Sequence, residues 1–175
     1  MKRALIILLS CAMLLLLVAC KDTDAPEGMK RASNSELVPY SLFVPEEWIV
    51  DIADGTTTKA HVSSSDTSSV LVSRHPKSAG VIDDVDSWWS NYKSNMTVKG
   101  FTVIEEGVKG MVGNKASKSF LYSTVTQELT FKHYVTAVEY NDEIIVIMFT
   151  ATEGPLYDNN ITVVKDEIIA NFKFK

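Results

Sequence analysis

The side chains that could do chemistry are few and scattered. His61, His75 and His133 are the only histidines, and imidazole is a good ligand for Zn, Cu and Ni. No two of them stand at i, i+4, the spacing that puts two ligands on one helix face, and all three fall in or beside separate strand-like runs. A shared three-histidine metal site is one reading; separate surface or turn histidines are the default, because a metal needs its ligands converged. Asp83, Asp84 and Asp86 could offer oxygens to Ca²⁺, but the loop glycine and distal glutamate of a calcium loop are missing. They suit a helix start better, with Asp83 or Asp84 as cap and Asp86 beside the positive end of the dipole. Ser90-Asn91-Tyr92-Lys93 spells S-x-x-K, yet its companion K-T-G is absent and the four residues fall inside a helical pattern. G-x-S-x-G, H-E-x-x-H and G-x-x-x-x-G-K do not occur, so esterase, zincin and P-loop chemistry have no foothold. A Ser/His/Asp triad can be drawn from many residues and therefore carries no information. No cofactor is implied, and the expectation is a non-enzymatic protein.

The strongest chemical signal is a cysteine. Lys2-Arg3 precedes an apolar run from Ala4 to Val18, broken only by Ser10 and Cys11, which is too short for a bilayer span and suits a secretory leader. It ends Leu17-Val18-Ala19-Cys20, which resembles the lipoprotein box of bacterial lipoproteins. Leu17 fits poorly three residues before an ordinary A-x-A cleavage, where a small residue is wanted. The implied chemistry is diacylglyceryl transfer to the Cys20 thiol, cleavage before it, and acylation of the new amino end. A single acyl chain anchors only marginally, so two or more are needed. Ordinary secretory cleavage and an uncleaved anchor are the alternatives, and all three place the domain outside the cytoplasm. Cys11 lies in the removed segment, leaving Cys20 alone: no disulfide, no cysteine metal site and no thiol nucleophile are expected.

Charge narrows the partners. Loss of Lys2 and Arg3 with residues 1–19 takes the formal net charge from −5 to −7. An acidic domain argues against nucleic acid and against adhesion to anionic lipid through a basic patch. Membrane attachment must then come from the lipid on Cys20. Apolar content of 46% and charged content of 22% are those of a foldable chain, and 175 residues suit one domain with an appendage. The division expected is a leader over 1–19, a lipidated cysteine and flexible polar tether over 20–35, reaching on the order of 20 Å, and one globular domain over 36–175.

The elements that must build this domain are organised around Glu143–Ala151, whose six consecutive apolar residues from Ile144 to Phe149 predict a strand covered on both faces. Before it, Tyr40–Val44, Trp48–Ile52, Thr56–Val62 and Ser69–Ser73 predict a small antiparallel meander, with Asp54-Gly55 as a hairpin turn and Trp48, Val50 and Ile52 alternating on one face. Val85, Trp88, Trp89, Tyr92 and Met96 share one face of a helix closed by Gly100. Trp88 sits at the edge of that stripe; half-exposed, it is a candidate partner-binding residue, with peripheral core packing as the bland reading. Strands follow over 101–109, 116–126 and 129–140, with turns at Gly110–Asn114 and Gln127-Glu128. A last helix runs from Tyr157 to Ala170, and Phe172-Lys173-Phe174-Lys175 makes a short extension. The sequons at Asn95 and Asn160 fall on helices and are coincidental.

The order Tyr40-Ser41-Leu42-x-x-Pro45-x-x-Trp48, then Asp66-Thr67-Ser68-Ser69-Val70, a tryptophan-bearing helix, a strand meander and a helix ending Ile169-x-Asn171-Phe172-Lys173-Phe174 resembles the PsbP-type fold. Its members include the extrinsic photosystem II subunit, a Ran-binding nuclear factor and PsbP-like or DcrB-like bacterial lipoproteins. The resemblance covers about residues 37–175. It implies an α+β domain, an antiparallel β-sheet of about six to seven strands flanked by two main α-helices in an α-β-α sandwich. Unrelated partners share this fold, so it transfers no activity. The resulting expectation is a lipid-anchored extracytoplasmic accessory protein with an envelope protein partner. The alternative is a small-ligand or metal-binding lipoprotein, whose ligand the sequence does not name.

Overall fold

The computed structural model describes residues 24–66, 68–154 and 162–175. In chain order the elements are β1 (Met29–Arg31), β2 (Tyr40–Ser41), β3 (Phe43–Pro45), β4 (Ile49–Ala53), β5 (Thr57–His61), β6 (Ser69–Pro76), α1 (Val85–Ser94), β7 (Thr102–Val112), β8 (Lys115–Thr126), β9 (Leu129–Tyr140), β10 (Glu143–Thr152), α2 (Val163–Asn171) and β11 (Lys173–Phe174). Seven strands make one antiparallel sheet in the order β4-β5-β6-β10-β9-β8-β7. The class is α+β.

The apolar run Ile144–Phe149 lies in the middle strand, β10, and is covered on both sides. Ile145, Ile147, Phe149 and Ala151 belong to one buried cluster, with Tyr40, Val70, Val72, Ile168 and Phe172. Ile144 and Val146 belong to the other, with Val85, Trp88, Trp89, Phe120 and Tyr122. Successive strand side chains point to opposite faces, so the two clusters take alternate residues of β10. A fully buried Ile or Phe contributes roughly 1.5–3 kcal/mol, which makes this strand the best-held element.

Two tight hairpins fix the register of the long strands. Gly113 and Asn114 join β7 to β8 at φ 51° and 64°, and Gln127 and Glu128 join β8 to β9 at φ 50° and 67°. Positive φ at both central residues matches the right-handed strand twist. The first turn is narrower than Gly110–Asn114, because pairing continues to Val112↔Lys115. Helix α1 starts as its sequence dictates: the Asp84 carboxylate accepts from the Ser87 amide at 2.8 Å, and the Ser87 hydroxyl accepts from the Asp84 amide at 2.9 Å. It ends at Asn95, earlier than Gly100, with the Asn95 amide bonded to the Asn91 carbonyl. Of the last helix, Tyr157 and Ile161 lie outside the described residues; Ile168 and Phe172 are buried as its stripe requires.

Two expectations are corrected. The segment 20–35 is not tether throughout: Met29–Arg31 pairs with β3, and Met29, Ala32 and Ser33 are buried. The Arg31 guanidinium lies 5.0 Å from the Phe43 ring and donates to Ser41 Oγ at 2.6 Å, which ties this strand down. Strand β4 does not turn Val50 and Ile52 inward. It is an edge strand with a register shift between Val50 and Ile52, and Ile49, Val50 and Ile52 are 44%, 36% and 39% exposed. Only Trp48, just before it, is buried. The short terminal extension forms a strand of its own, Lys173–Phe174, which pairs with β2, Phe174 opposite Tyr40.

Candidate functional site

The titratable and aromatic side chains converge on the sheet face under α1. Strands β8, β9 and β10 set Tyr122, His133 and Thr150 in one cross-strand row. The Tyr122 ring stacks on His133 with centroids 4.5 Å apart. The two His133 nitrogens bond Thr124 Oγ1 and Thr150 Oγ1, each at 2.9 Å. Burial pushes the His133 imidazole down to about 4, so it is neutral at physiological pH, donating to one threonine and accepting from the other. The Tyr122 hydroxyl donates to Met148 Sδ at 3.3 Å and therefore accepts from the Tyr92 hydroxyl at 2.5 Å. Burial, then the bond from Tyr92, pushes the Tyr122 phenol up. This is a satisfied, neutral network inside the core, suited to fixing strand alignment rather than to moving protons at neutral pH.

Above it, Trp89 stacks on Phe120 at 4.4 Å, and its Nε1 donates to Glu106 Oε1 at 2.6 Å. Lys93 also pairs with Glu106 and, together with Trp89, holds that carboxyl below the usual range. Trp88, the partner-binding candidate, is not half-exposed: only 3% of it reaches solvent. Its ring packs between His75 at 5.8 Å and Tyr92 at 5.4 Å. The reason is β6, whose His75 comes up beside the helix and covers the stripe's edge.

The three histidines do not meet. His61 Nδ1 is 2.9 Å from Asp51 Oδ2 near the β4 edge, His75 Nε2 is 2.9 Å from Ser73 Oγ, and His133 sits in its threonine cradle. Among the described residues no group of three or more His, Cys, Asp or Glu side chains could hold a metal. Asp84 caps α1, Asp83 accepts from the Gly80 amide at 3.1 Å, and Asp86 pairs with Lys118 at 2.5 Å. Ser90 and Lys93 lie on α1, as the coincidental reading of S-x-x-K requires. The Ser73–His75 pair and the Asp51–His61 pair occupy different parts of the sheet, so a triad is not assembled from them. Cys20 lies outside the described residues.

Two features escaped the sequence. A cleft of about 570 Å³ opens between the start of α1 and the β7–β8 hairpin, lined by Asp84, Asp86, Lys109, Lys115, Lys118 and Glu139. Its charges balance, and two of its carboxylates are paired, Asp86 with Lys118 of the cleft and Glu139 with Lys77 outside its lining. The second is the β4 edge itself. Among the described residues no helix is long and apolar enough to cross a membrane.

No family model and no curated protein matches this sequence. Solved structures do match in shape. The cyanobacterial PsbP of Synechocystis aligns over 90% of this chain and 98% of its own with a TM-score of 0.60 at 12% identity. The chain has a PsbP-like fold. The Ran-binding protein Mog1p of Saccharomyces cerevisiae shares it at 13% identity, covering 83% of this chain and 95% of that one with a TM-score of 0.59. So does LpqN of Mycobacterium tuberculosis, described as involved in cell envelope biogenesis, at 11% identity over 84% and 90% with a TM-score of 0.57. At such identities the PsbP-like likeness is one of fold alone; of the residues that carried the resemblance, Tyr40, Trp48, Val70 and Phe172 lie in one buried cluster and Pro45 is half-buried at the end of β3.

Proposed function

We propose that the protein is a lipid-anchored, extracytoplasmic accessory protein of a bacterial envelope, non-enzymatic, with a PsbP-like domain in α-β-α layers that engages a membrane-associated protein. The observation that carries this is Leu17-Val18-Ala19-Cys20 at the end of an apolar run opened by Lys2-Arg3. The thiol takes a diacylglyceryl group as a thioether, the chain is cut before Cys20, and the freed amine is acylated. Two or more acyl chains keep the domain at the membrane. Confinement to a surface raises its effective concentration for membrane-bound partners without any new contact. The fold it shares with LpqN supports an envelope setting, and the neutral, satisfied network around His133 supports a binding role over a catalytic one.

The test is expression of the full chain in a bacterial host beside Cys20→Ser. The wild type should partition into detergent and carry the mass of a lipidated mature chain, and Cys20→Ser should lose both properties. A Cys20→Ser protein that is processed, equally membrane-bound and unaltered in mass would overturn the reading. The cleft of about 570 Å³ favours a second reading, a small-ligand lipoprotein. Its paired lysines and carboxylates suit a ligand bearing both charges, and a stoichiometric small molecule on the purified protein by native mass spectrometry would select it.

A further inference from the structure

Both ends of the seven-stranded sheet are open edges, and the fold treats them differently. Strand β7 is blunted. Its pairing with β8 shifts register twice, between Val103 and Glu105 and between Glu105 and Val108. Gly107 sits in the break at φ 71°, and Glu105, Glu106 and Lys109 add charge. These are the devices by which natural sheets keep an edge from pairing with another chain. Strand β4 is guarded more lightly, by one register shift and one charge, Asp51. It carries no proline, lysine or glycine, and among the described residues β5 is its one strand neighbour. Its single irregularity sets Ile49 and Ile52 opposite His61 and Lys59 on one face, with Asp51 turned to the same side, 2.9 Å from His61 and 3.5 Å from Lys59. Val50, opposite Ala60, lies on the other face. Three exposed branched residues on a free edge form a strip where backbone donors and acceptors and apolar side chains are offered together.

Charge says what would lie there. From residue 32 to residue 58 the chain has five carboxylates, Glu36, Glu46, Glu47, Asp51 and Asp54, and no lysine or arginine. Glu46, Glu47 and Asp54, which bracket β4, are all exposed. The nearby cations are engaged, Lys59 with Asp51 and Arg74 with Glu143. The strip thus carries Ile49, Val50 and Ile52 around an Asp51 that His61 and Lys59 already engage, and is acidic at both ends. A second copy of this chain would bring the same acids against these, and a five-residue edge buries less than the roughly 1,200 Å² of a stable interface.

We infer that β4 is a strand-addition site for an extended segment of a partner protein, apolar at alternate positions and flanked by lysine or arginine. Main-chain bonds to the edge would supply affinity, and Ile49, Ile52 and the flanking acids would supply selection. This deepens the accessory-protein reading and rests on its interaction half, not on the lipid. Failure of Cys20 acylation and failure of this edge are therefore separately visible.

The test uses the full processed chain in detergent and two fluorescent peptides. Each has five alternating valines and threonines, one with two lysines at each end and the other with two glutamates. The lysine-ended peptide should bind and slow amide exchange at Ile49–Ala53, and the glutamate-ended one should bind about tenfold more weakly or worse. Ile49→Ser with Ile52→Ser, at exposed positions, should weaken binding at least about fivefold with an unchanged unfolding midpoint. Glu46→Lys with Glu47→Lys should narrow or reverse the preference between peptides. No binding, equal binding of both peptides, or protection elsewhere would overturn the inference. Protection of Ile49–Ala53 by self-association alone would also overturn it, assigning the edge to a second copy.

Discussion

His133 should make this fold lose stability in mildly acidic solution, well before its carboxylates titrate. The imidazole is half-buried, stacked on Tyr122 and held between Thr124 and Thr150, and its pKa falls to about 4 from the ordinary 6.5. Because the folded value is the lower one, the unfolded chain binds the proton first, and stability falls as pH drops through the interval between the two. Linkage over that interval gives a loss of about 2 kcal/mol between pH 7.5 and pH 5, approaching about 3 kcal/mol below pH 4. Such a loss is a large share of the roughly 5–15 kcal/mol by which a domain usually favours its folded state. The assay is urea unfolding followed by tryptophan fluorescence at half-unit steps from pH 7.5 to 5, for the wild type and His133→Gln. The variant should show a markedly shallower slope whatever its stability at neutral pH. His75, also lowered by burial, acts with the same sign and leaves a residual slope. Asp54 and Asp84, lowered by hydrogen bonds from backbone amides, lose their contribution only at more acidic pH and stay outside the window. A flat wild-type profile, equal slopes for both proteins, or an NMR midpoint for His133 near 6.5 would refute the reasoning.

Two further substitutions probe the packing, read by denaturant midpoint. Gly100→Ala should cost about 1–3 kcal/mol, since φ is 69° and a Cβ would stand 2.5 Å from Val125 Cγ2; combining it with Val125→Ala should recover part of the loss. Trp89→Ala should cost about 3–5 kcal/mol through the cavity left against Phe120, with Trp89→Phe losing far less.

What could be read from the sequence were the features that are local. Ile144–Phe149 announces a strand covered twice because no polar residue interrupts it, and Asp83-Asp84 announces the helix start because a capping bond spans only three residues; the structure selects Asp84, with Ser87 as its reciprocal partner. What could not be read depends on remote partners. Trp48, Val50 and Ile52 alternate as an inward-facing strand would, but among the described residues β5 is the one strand that pairs with β4, and Val50 and Ile52 stay exposed. Trp88 looks marginal on a helical wheel and is buried only because His75, thirteen positions earlier, rises beside it. Met29 sits in a stretch without periodicity; its burial comes from pairing with Pro45. His133 was legible in principle, since Phe131, His133, Val135 and Ala137 step along one face of β9, which puts the imidazole in line with buried neighbours.

The pairing of Met29 with β3 has a bearing on reach. Residues 24–28 already turn onto the domain, with the Met29 amide bonded to the Pro26 carbonyl and Asp24 3.7 Å from Arg31, so residues 21–23 alone lie between Cys20 and that fold, a reach of at most about 14 Å. With acyl groups on Cys20, the body would ride moored against the lipid headgroups, narrower in its swing than its own width. A partner rooted in the same bilayer would then meet it at raised effective concentration, while a soluble one would have to come to the membrane surface.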